Sequence, residues 1–221
     1  MKIKNLIKRE LDYMIINMIQ TRTFGGADFV FSTTENHVFY TAEVRLTIGS
    51  PHITLMKNDT PVLLLRGNDI NPITESFKRE HTLFNIKKPD GETCGKLTSK
   101  FAGKFLSGYR YVQITFYSEV FNCYVVGMGK EGTFVCIYSG DEQIAMIEKS
   151  TVVYDNRDFY RIYIKDNKHM EIVCLFATYY DHSTASNYNQ AAIKSKKINY
   201  YYTLNKELKS KYNPQFKELC K

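Results

Sequence analysis

The sequence predicts a mainly-β fold, a sandwich or barrel, with one apolar helix buried near its C-terminal end. Three observations predict it. Short segments rich in β-branched and aromatic residues recur along the 221 residues, separated by turn signals such as Lys57-Asn58-Asp59, Pro89-Asp90-Gly91 and Ser139-Gly140-Asp141. The chain holds 17 Tyr and 14 Phe, residue types that suit pleated, half-buried surfaces. The stretch Met170–Tyr180, MEIVCLFATYY, is apolar on every side apart from Glu171 and Thr178. As a helix it has no wet face and must be wrapped all round.

The elements follow in chain order. Ile3, Leu6, Ile7, Leu11, Met14, Ile15 and Met18 recur at helical spacing, predicting an amphipathic helix over 3–20 within an N-terminal segment 1–24. Such a helix packs on the domain or lies on a membrane surface. Phe24-Gly25-Gly26 ends the pattern. Strands are expected at His37–Ile48, His52–Met56, Pro61–Leu65, His81–Ile86, Tyr109–Tyr117, Val120–Val126, Thr133–Tyr138, Gln143–Glu148 and Phe159–Ile164. With no internal repeat and no low-complexity linker, residues 25–190 read as one domain and 191–221 as a basic tail.

Two structures compete for Met170–Tyr180. FYRIYI-KDNKH-MEIVCLF can form a hairpin whose second strand is Ile172–Phe176, and Ile172 and Val173 favour it. Length favours a helix, because strands are usually about 5–6 residues long. At 11 residues the segment is well short of the roughly 20 that cross a bilayer, so a core helix is expected and no transmembrane segment.

Composition limits the function classes. Hydrophobic residues make up 43% and charged residues 24%, values of a globular protein. MKIKNLIKRELDYM places charges where a signal peptide needs an apolar run. The five cysteines, Cys94, Cys123, Cys136, Cys174 and Cys220, are odd in number with no CxxC pair. A reducing, cytoplasmic setting without disulfides is expected.

The motifs that invite chemistry are weak. Gly127-Met128-Gly129-Lys130-Glu131-Gly132 is a formal GxGxxG, yet TFVCIY after it is strand-like, and a dinucleotide loop needs a helix there. A hairpin turn is expected. The five histidines are scattered without zinc-site spacing. Asp141-Glu142 falls in a turn, and Asp181-His182 reads as a polar pair ending the apolar helix. No GxSxG elbow occurs. Neither enzymatic activity, nor a cofactor, nor a metal is expected.

The clearest functional handle is charge. From Ala191 onward eight lysines face only Glu207 and Glu218, giving the tail nearly all of the formal net charge of +7. Lys194, Lys196, Lys197, Lys206, Lys209 and Lys211 lie among Tyr200, Tyr201, Tyr202 and Tyr212. Near an anionic membrane each lysine contributes about 1 kcal/mol, while aromatic rings settle at the interface. A solvated tail or surface helix is the plainer reading. Single-stranded nucleic acid also suits basic residues mixed with aromatics but is the less favoured partner.

Gly140-Asp141-Glu142-Gln143-Ile144-Ala145-Met146-Ile147-Glu148-Lys149, the aromatic strand Phe159–Ile164 and the apolar segment Met170–Tyr180 occur in an order that resembles the scramblase and tubby-like superfamily, specifically the LURP-one-related proteins. The resemblance spans roughly residues 35–190. It implies a closed barrel of about twelve strands around one apolar helix. Tubby domains bind phosphoinositide head groups, scramblases associate with membranes and calcium, and many LURP-one-related proteins have no known ligand. Asp155, Phe159 and Asp166 resemble the scramblase calcium segment, but Arg157 stands where an acid is expected, and a cation there opposes calcium. The expected function is therefore a non-enzymatic binding or scaffold module. It binds anionic phospholipid peripherally through the tail lysines, or another protein without any small-molecule ligand.

Overall fold

The computed structural model describes residues 13–23, 25–46, 52–67, 78–104, 107–153, 157–184, 197–198 and 200–220. Fourteen strands are present among them: β1 Met14–Arg22, β2 Gly26–Thr33, β3 Val38–Arg45, β4 His52–Lys57, β5 Thr60–Gly67, β6 Glu80–Lys87, β7 Thr93–Ala102, β8 Tyr109–Phe116, β9 Glu119–Gly127, β10 Thr133–Ser139, β11 Glu142–Lys149, β12 Val152–Val153, β13 Phe159–Ile164 and β14 Lys197–Ile198. Twelve of them close into one antiparallel barrel, and the short β12 and β14 pair apart from it. Each barrel strand neighbours the next in sequence, save that β13 follows β11. Closure comes from β1 against β13, in register from Met14↔Ile164 to Ile19↔Phe159.

The strands form where side chains alternate. In β3, Tyr40, Ala42 and Val44 are buried while Phe39, Thr41 and Glu43 are only partly so. Inward-facing side chains of the other strands complete one continuous lumen core, while β10 and β11 are buried on both faces.

The helix predicted over 3–20 is not formed across Met14–Gln20, which lie in β1. Ile16, Met18 and Gln20 are fully buried, whereas Ile15, Asn17 and Ile19 lie on the opposite face. Met14, Ile15 and Met18 fit a helical period, but Ile16, Met18 and Gln20 fit a period of two. Pairing on both edges, with β2 and β13, settles the choice because closure leaves no open edge. The barrel thus begins at Met14, before the expected boundary at residue 25. Residues 3–12 of that prediction lie outside the described residues.

The apolar segment is a helix, α1, Met170–Thr184. A 3₁₀ turn, Asn167–His169, leads into it, with Asp166 accepting from the Lys168 backbone N–H at 3.0 Å. Ten consecutive residues, Ile172–Asp181, are buried on all sides. Tyr40 Oη of β3 donates to Glu171 at 3.0 Å, and the Phe84 ring of β6 meets Tyr179 at 5.4 Å. Phe121 of β9 meets His169 at 5.5 Å, and Tyr160 of β13 donates to Asp181 at 2.6 Å. Partners spread round the wall place α1 in the lumen. A twelve-stranded barrel is too wide for wall side chains to fill alone, and the helix supplies the missing volume.

The two rims differ. At one, the connections are tight: Asn58 and Asp59 both have positive φ, as in a two-residue hairpin turn, and Asn36, Gly91, Tyr117 and Gly140 each turn through positive φ. This is the turn rim. Most connections at the opposite rim are longer, and 68–79 alone spans a dozen residues between β5 and β6. Here α1 ends. Loops of this kind, held on a rigid scaffold, are where binding residues concentrate.

The expected basic tail is in part a strap. Leu208, Phe216 and Cys220 are buried against Tyr109, Val126, Phe134, Cys136, Met146 and Tyr163 on the outer wall. Tyr212 stacks on Phe134 at 4.4 Å, and Lys217 pairs with Glu148 at 2.7 Å. Asn205 caps the turn Lys206–Lys209 by accepting from the Leu208 N–H at 2.8 Å.

Candidate functional site

The candidate site is built on the long-loop rim by residues 200–209. The backbone of this stretch pairs with the end of β9. Thr203 N–H donates to the Gly127 carbonyl at 2.9 Å, Gly129 N–H donates to the Tyr201 carbonyl at 2.9 Å, and Gly127 N–H donates to Thr203 Oγ1 at 2.8 Å. A Cβ on Gly127 would lie 2.2 Å from the Tyr201 ring. The glycine is therefore what lets the stretch lie so close.

What the stretch displays is unusual for a surface. Tyr200, Tyr201 and Tyr202 are 50–59% exposed and Leu204 86% exposed, while Thr203 is buried beneath them. Lys209 Nζ donates to Tyr202 Oη at 2.9 Å and lies 4.6 Å from that ring's centroid. Lys206, in the same helical turn, is exposed. Aromatic and aliphatic surface thus sits beside the Lys209 ammonium, held over the Tyr202 ring, and beside the exposed Lys206.

Charge divides between the rims. Among the described residues of the turn rim, Glu35, Asp59, Asp90, Glu92, Glu119, Asp141, Glu142 and Asp166 outnumber Lys57, Lys87, Lys88, Lys165 and Lys168. Among the described residues of the long-loop rim the balance reverses: Arg22, Arg45, Arg66, Lys78, Arg79, Lys104, Arg110, Lys130, Arg157, Lys206 and Lys209 outnumber Asp28, Glu43, Glu80, Glu131, Asp158, Asp181 and Glu207. Some are neutralised locally, as in Arg22–Asp28 at 2.6 Å and Arg45–Glu43 at 2.7 Å. The barrel axis therefore carries a charge polarity, positive at the rim with the tyrosines.

The expected lysines do not form one cluster. Lys206 and Lys209 join the tyrosine ridge. Lys211 is turned to the outer wall, 5.2 Å from the Tyr124 ring. Lys197 begins β14, paired with Val153, and its side chain lies outside the described residues, as do Lys194 and Lys196. Sequence reasoning named the tyrosines as neighbours of lysine but missed Gly127 and Leu204. The alternation in Tyr-Tyr-Thr-Leu was the available signal for a strand-like edge.

A buried polar group lies beneath the same rim. Asp181, at the C-terminal end of α1, is fully buried, and Asp158, leading into β13, is 1% exposed. Tyr160 donates to Asp181 Oδ1 at 2.6 Å, and Lys149 Nζ lies 3.1 Å from Asp158 Oδ1. Gln20 ties Asp158 to β1, with Asp158 N–H donating to Gln20 Oε1 at 3.2 Å and Gln20 N–H to the Asp158 carbonyl at 3.1 Å. Burial, then the charge of Asp158, pushes the Asp181 carboxyl up to about 7.

Other expected features take structural places. The GxGxxG stretch is the β9–β10 hairpin connection, with a 3₁₀ turn at Gly129–Glu131. Of the calcium-like segment, Asp166 caps the turn before α1 and Asp155 lies outside the described residues. All five cysteines are free and buried. Burial raises the Cys123 and Cys174 thiols and brings Cys136 to about 12, which suppresses the reactive thiolate. Among the described residues no group of three or more His, Cys, Asp or Glu is arranged to hold a metal. No described helix is long and apolar enough to cross a membrane. An open cleft of about 590 Å³, lined by Tyr13–Ile15, Thr33–Glu35, His37 and Cys220, lies at the turn rim. Its Glu35 and His37 are both exposed, so it offers no desolvated acid–base pair.

No family model, no curated protein and no solved structure matches the chain. The site stands on its own geometry.

Proposed function

We propose that this protein is a non-enzymatic, scramblase- and tubby-like binding module that docks its long-loop rim on an anionic phospholipid surface from the cytoplasmic side. The observation that carries the reading is the ridge Tyr200–Leu204, exposed beside Lys206 and Lys209 on the basic rim. Tyrosine and leucine gain by leaving water for the head-group region, and lysines there gain about 1 kcal/mol each. A nucleic-acid single strand would use the same residue types. The exposed Leu204 favours lipid, because a solvated aliphatic side chain gains from an acyl boundary and has no base to stack on.

Cosedimentation tests the reading. Wild-type chain is expected to pellet with vesicles containing phosphatidylserine and to stay in solution with pure phosphatidylcholine. Binding should weaken as salt screens the lysines. Lys206→Glu with Lys209→Glu is expected to weaken binding by at least tenfold, from about 1 kcal/mol per lost lysine. Equal indifference to both vesicle types overturns the reading and leaves a protein-interaction module.

A further inference from the structure

The stretch Tyr200–Leu204 is joined to the barrel along one edge. Met128 and Tyr202 form an antiparallel bridge. It is flanked by the bonds from Gly129 N–H to the Tyr201 carbonyl and from Thr203 N–H to the Gly127 carbonyl, both at 2.9 Å. Neither bond uses Tyr202. Successive residues of an extended chain turn their N–H and C=O to opposite edges, so those of Tyr202 point away from β9. Asn205 is extended too, and the alternation carries on to Leu204. Among the described residues, no hydrogen-bond partner meets the backbone N–H or C=O of Tyr202 or Leu204. An edge of this kind, with Tyr201, Tyr202 and Leu204 all exposed, is a template for a further strand.

The described charges round this edge are mostly positive. Lys206 and Lys209 follow it in the chain, and Lys130 lies in the hairpin turn bonded to it at Gly129. Lys104 lies in the connection whose Ser107 carbonyl accepts from Asn205 at 2.7 Å. Against them stand Glu131 and Glu207, and Glu207 accepts from Tyr109 Oη on the outer wall at 3.0 Å. We propose that Tyr200–Leu204 is a docking edge for an extended acidic peptide, which adds to it as an antiparallel strand through the main chain of Tyr202 and Leu204. A second copy of the chain has the same free edge, but pairing would set Lys206 and Lys209 against their own kind, a like-charge contact that an acidic peptide replaces with attraction. The inference rests on main-chain groups and does not depend on what the tyrosine rings bind.

The pairing fixes which peptide residues matter. The residue opposite Tyr202 exchanges both main-chain bonds with it, and its side chain lies on the same face as the Tyr202 ring. That is the face on which Lys209 Nζ meets Tyr202 Oη at 2.9 Å. Every second peptide residue therefore faces lysine, and the residues between them point to the other face. Main-chain bonds supply affinity in this mode, and alternate side chains supply specificity. The matching pattern is an acid at every second position.

Fluorescence anisotropy on the full chain reads this out, with a fluorescein-labelled peptide of alternating glutamate and valine as the probe. The peptide is expected to bind, to weaken as salt rises, and to bind more tightly than its lysine–valine counterpart. N-methyl groups on two glutamate amides block the paired edge, whereas on two valine amides they face solvent. The first peptide is expected to bind about tenfold more weakly than the second, from two lost hydrogen bonds. Tyr202→Pro removes the outward N–H and spares both bonds to β9. It is expected to bind the probe about fivefold more weakly than Tyr202→Val, which loses the same ring and keeps the N–H. Should the proline variant fail to fold, the N-methyl comparison on wild type decides. Equal binding of the two N-methylated peptides, or preference for the lysine–valine peptide, overturns the proposal. Self-association of the chain that Tyr202→Pro abolishes overturns it as well, by assigning the edge to a second copy.

Discussion

At the scale of single residues, the fold depends on side chains with no freedom to be anything else. Phe176 is 2% exposed at the centre of α1. Phe176→Ala is expected to lower stability by about 3–5 kcal/mol in urea denaturation, and Phe176→Asp to prevent folding. Gly127 is constrained from outside its own strand, because any Cβ would meet the Tyr201 ring and carbonyl at 2.2 and 2.5 Å. Gly127→Val is expected to detach the ridge while leaving the barrel folded. The check is exchange at the Thr203 amide, now bonded to the Gly127 carbonyl. The role of Gly127 was not visible in sequence, where it opened a glycine-rich turn. It depends on a partner 74 residues further along the chain, Tyr201.

At the scale of elements, what was legible was whatever carried an uninterrupted period. α1 was legible because only Glu171 and Thr178 break its apolar run, β3 because its alternation was clean, and β8 and β13 because aromatic and β-branched residues fill them. β1 was misread because Met14-Ile15-Ile16-Asn17-Met18 satisfies two periods at once, and only the neighbouring edges chose between them. β2 followed a Gly25-Gly26 pair that reads as a break. β7 carries Gly95, Thr98 and Ser99 and faces register shifts at Thr82/Phe84 and Ile86/Lys87, which erase the alternation. The strap was hidden by its lysines. Their ammonium groups lie over aromatic rings, as Lys217 Nζ does 4.4 Å from the Phe134 centroid. Phe216→Asp is expected to lift the strap, raising exchange across 206–220 and exposing Tyr163 and Phe134 to a hydrophobic dye. An unchanged exchange profile would mean that the strap is held by its polar bonds alone.

At the scale of the molecule, the closed barrel and its plug divide the labour between two rims. Among the described residues the turn rim is short-looped and acidic, and the long-loop rim is basic and edged by the tyrosine ridge. The strands alone left a sandwich or a barrel open, and closure around a helix was what the resemblance implied. The polarity was not foreseeable, because residues at one rim are scattered along the chain and only strand direction gathers them. The chain contains no tryptophan, so a single introduced indole reports on one rim at a time. The most direct test is fluorescence of Tyr201→Trp and, separately, Tyr117→Trp, with phosphatidylserine vesicles carrying brominated acyl chains. Docking by the long-loop rim predicts a blue shift and bromine quenching for Trp at 201 and neither for Trp at 117. Quenching at 117 instead, or at neither position, would contradict it.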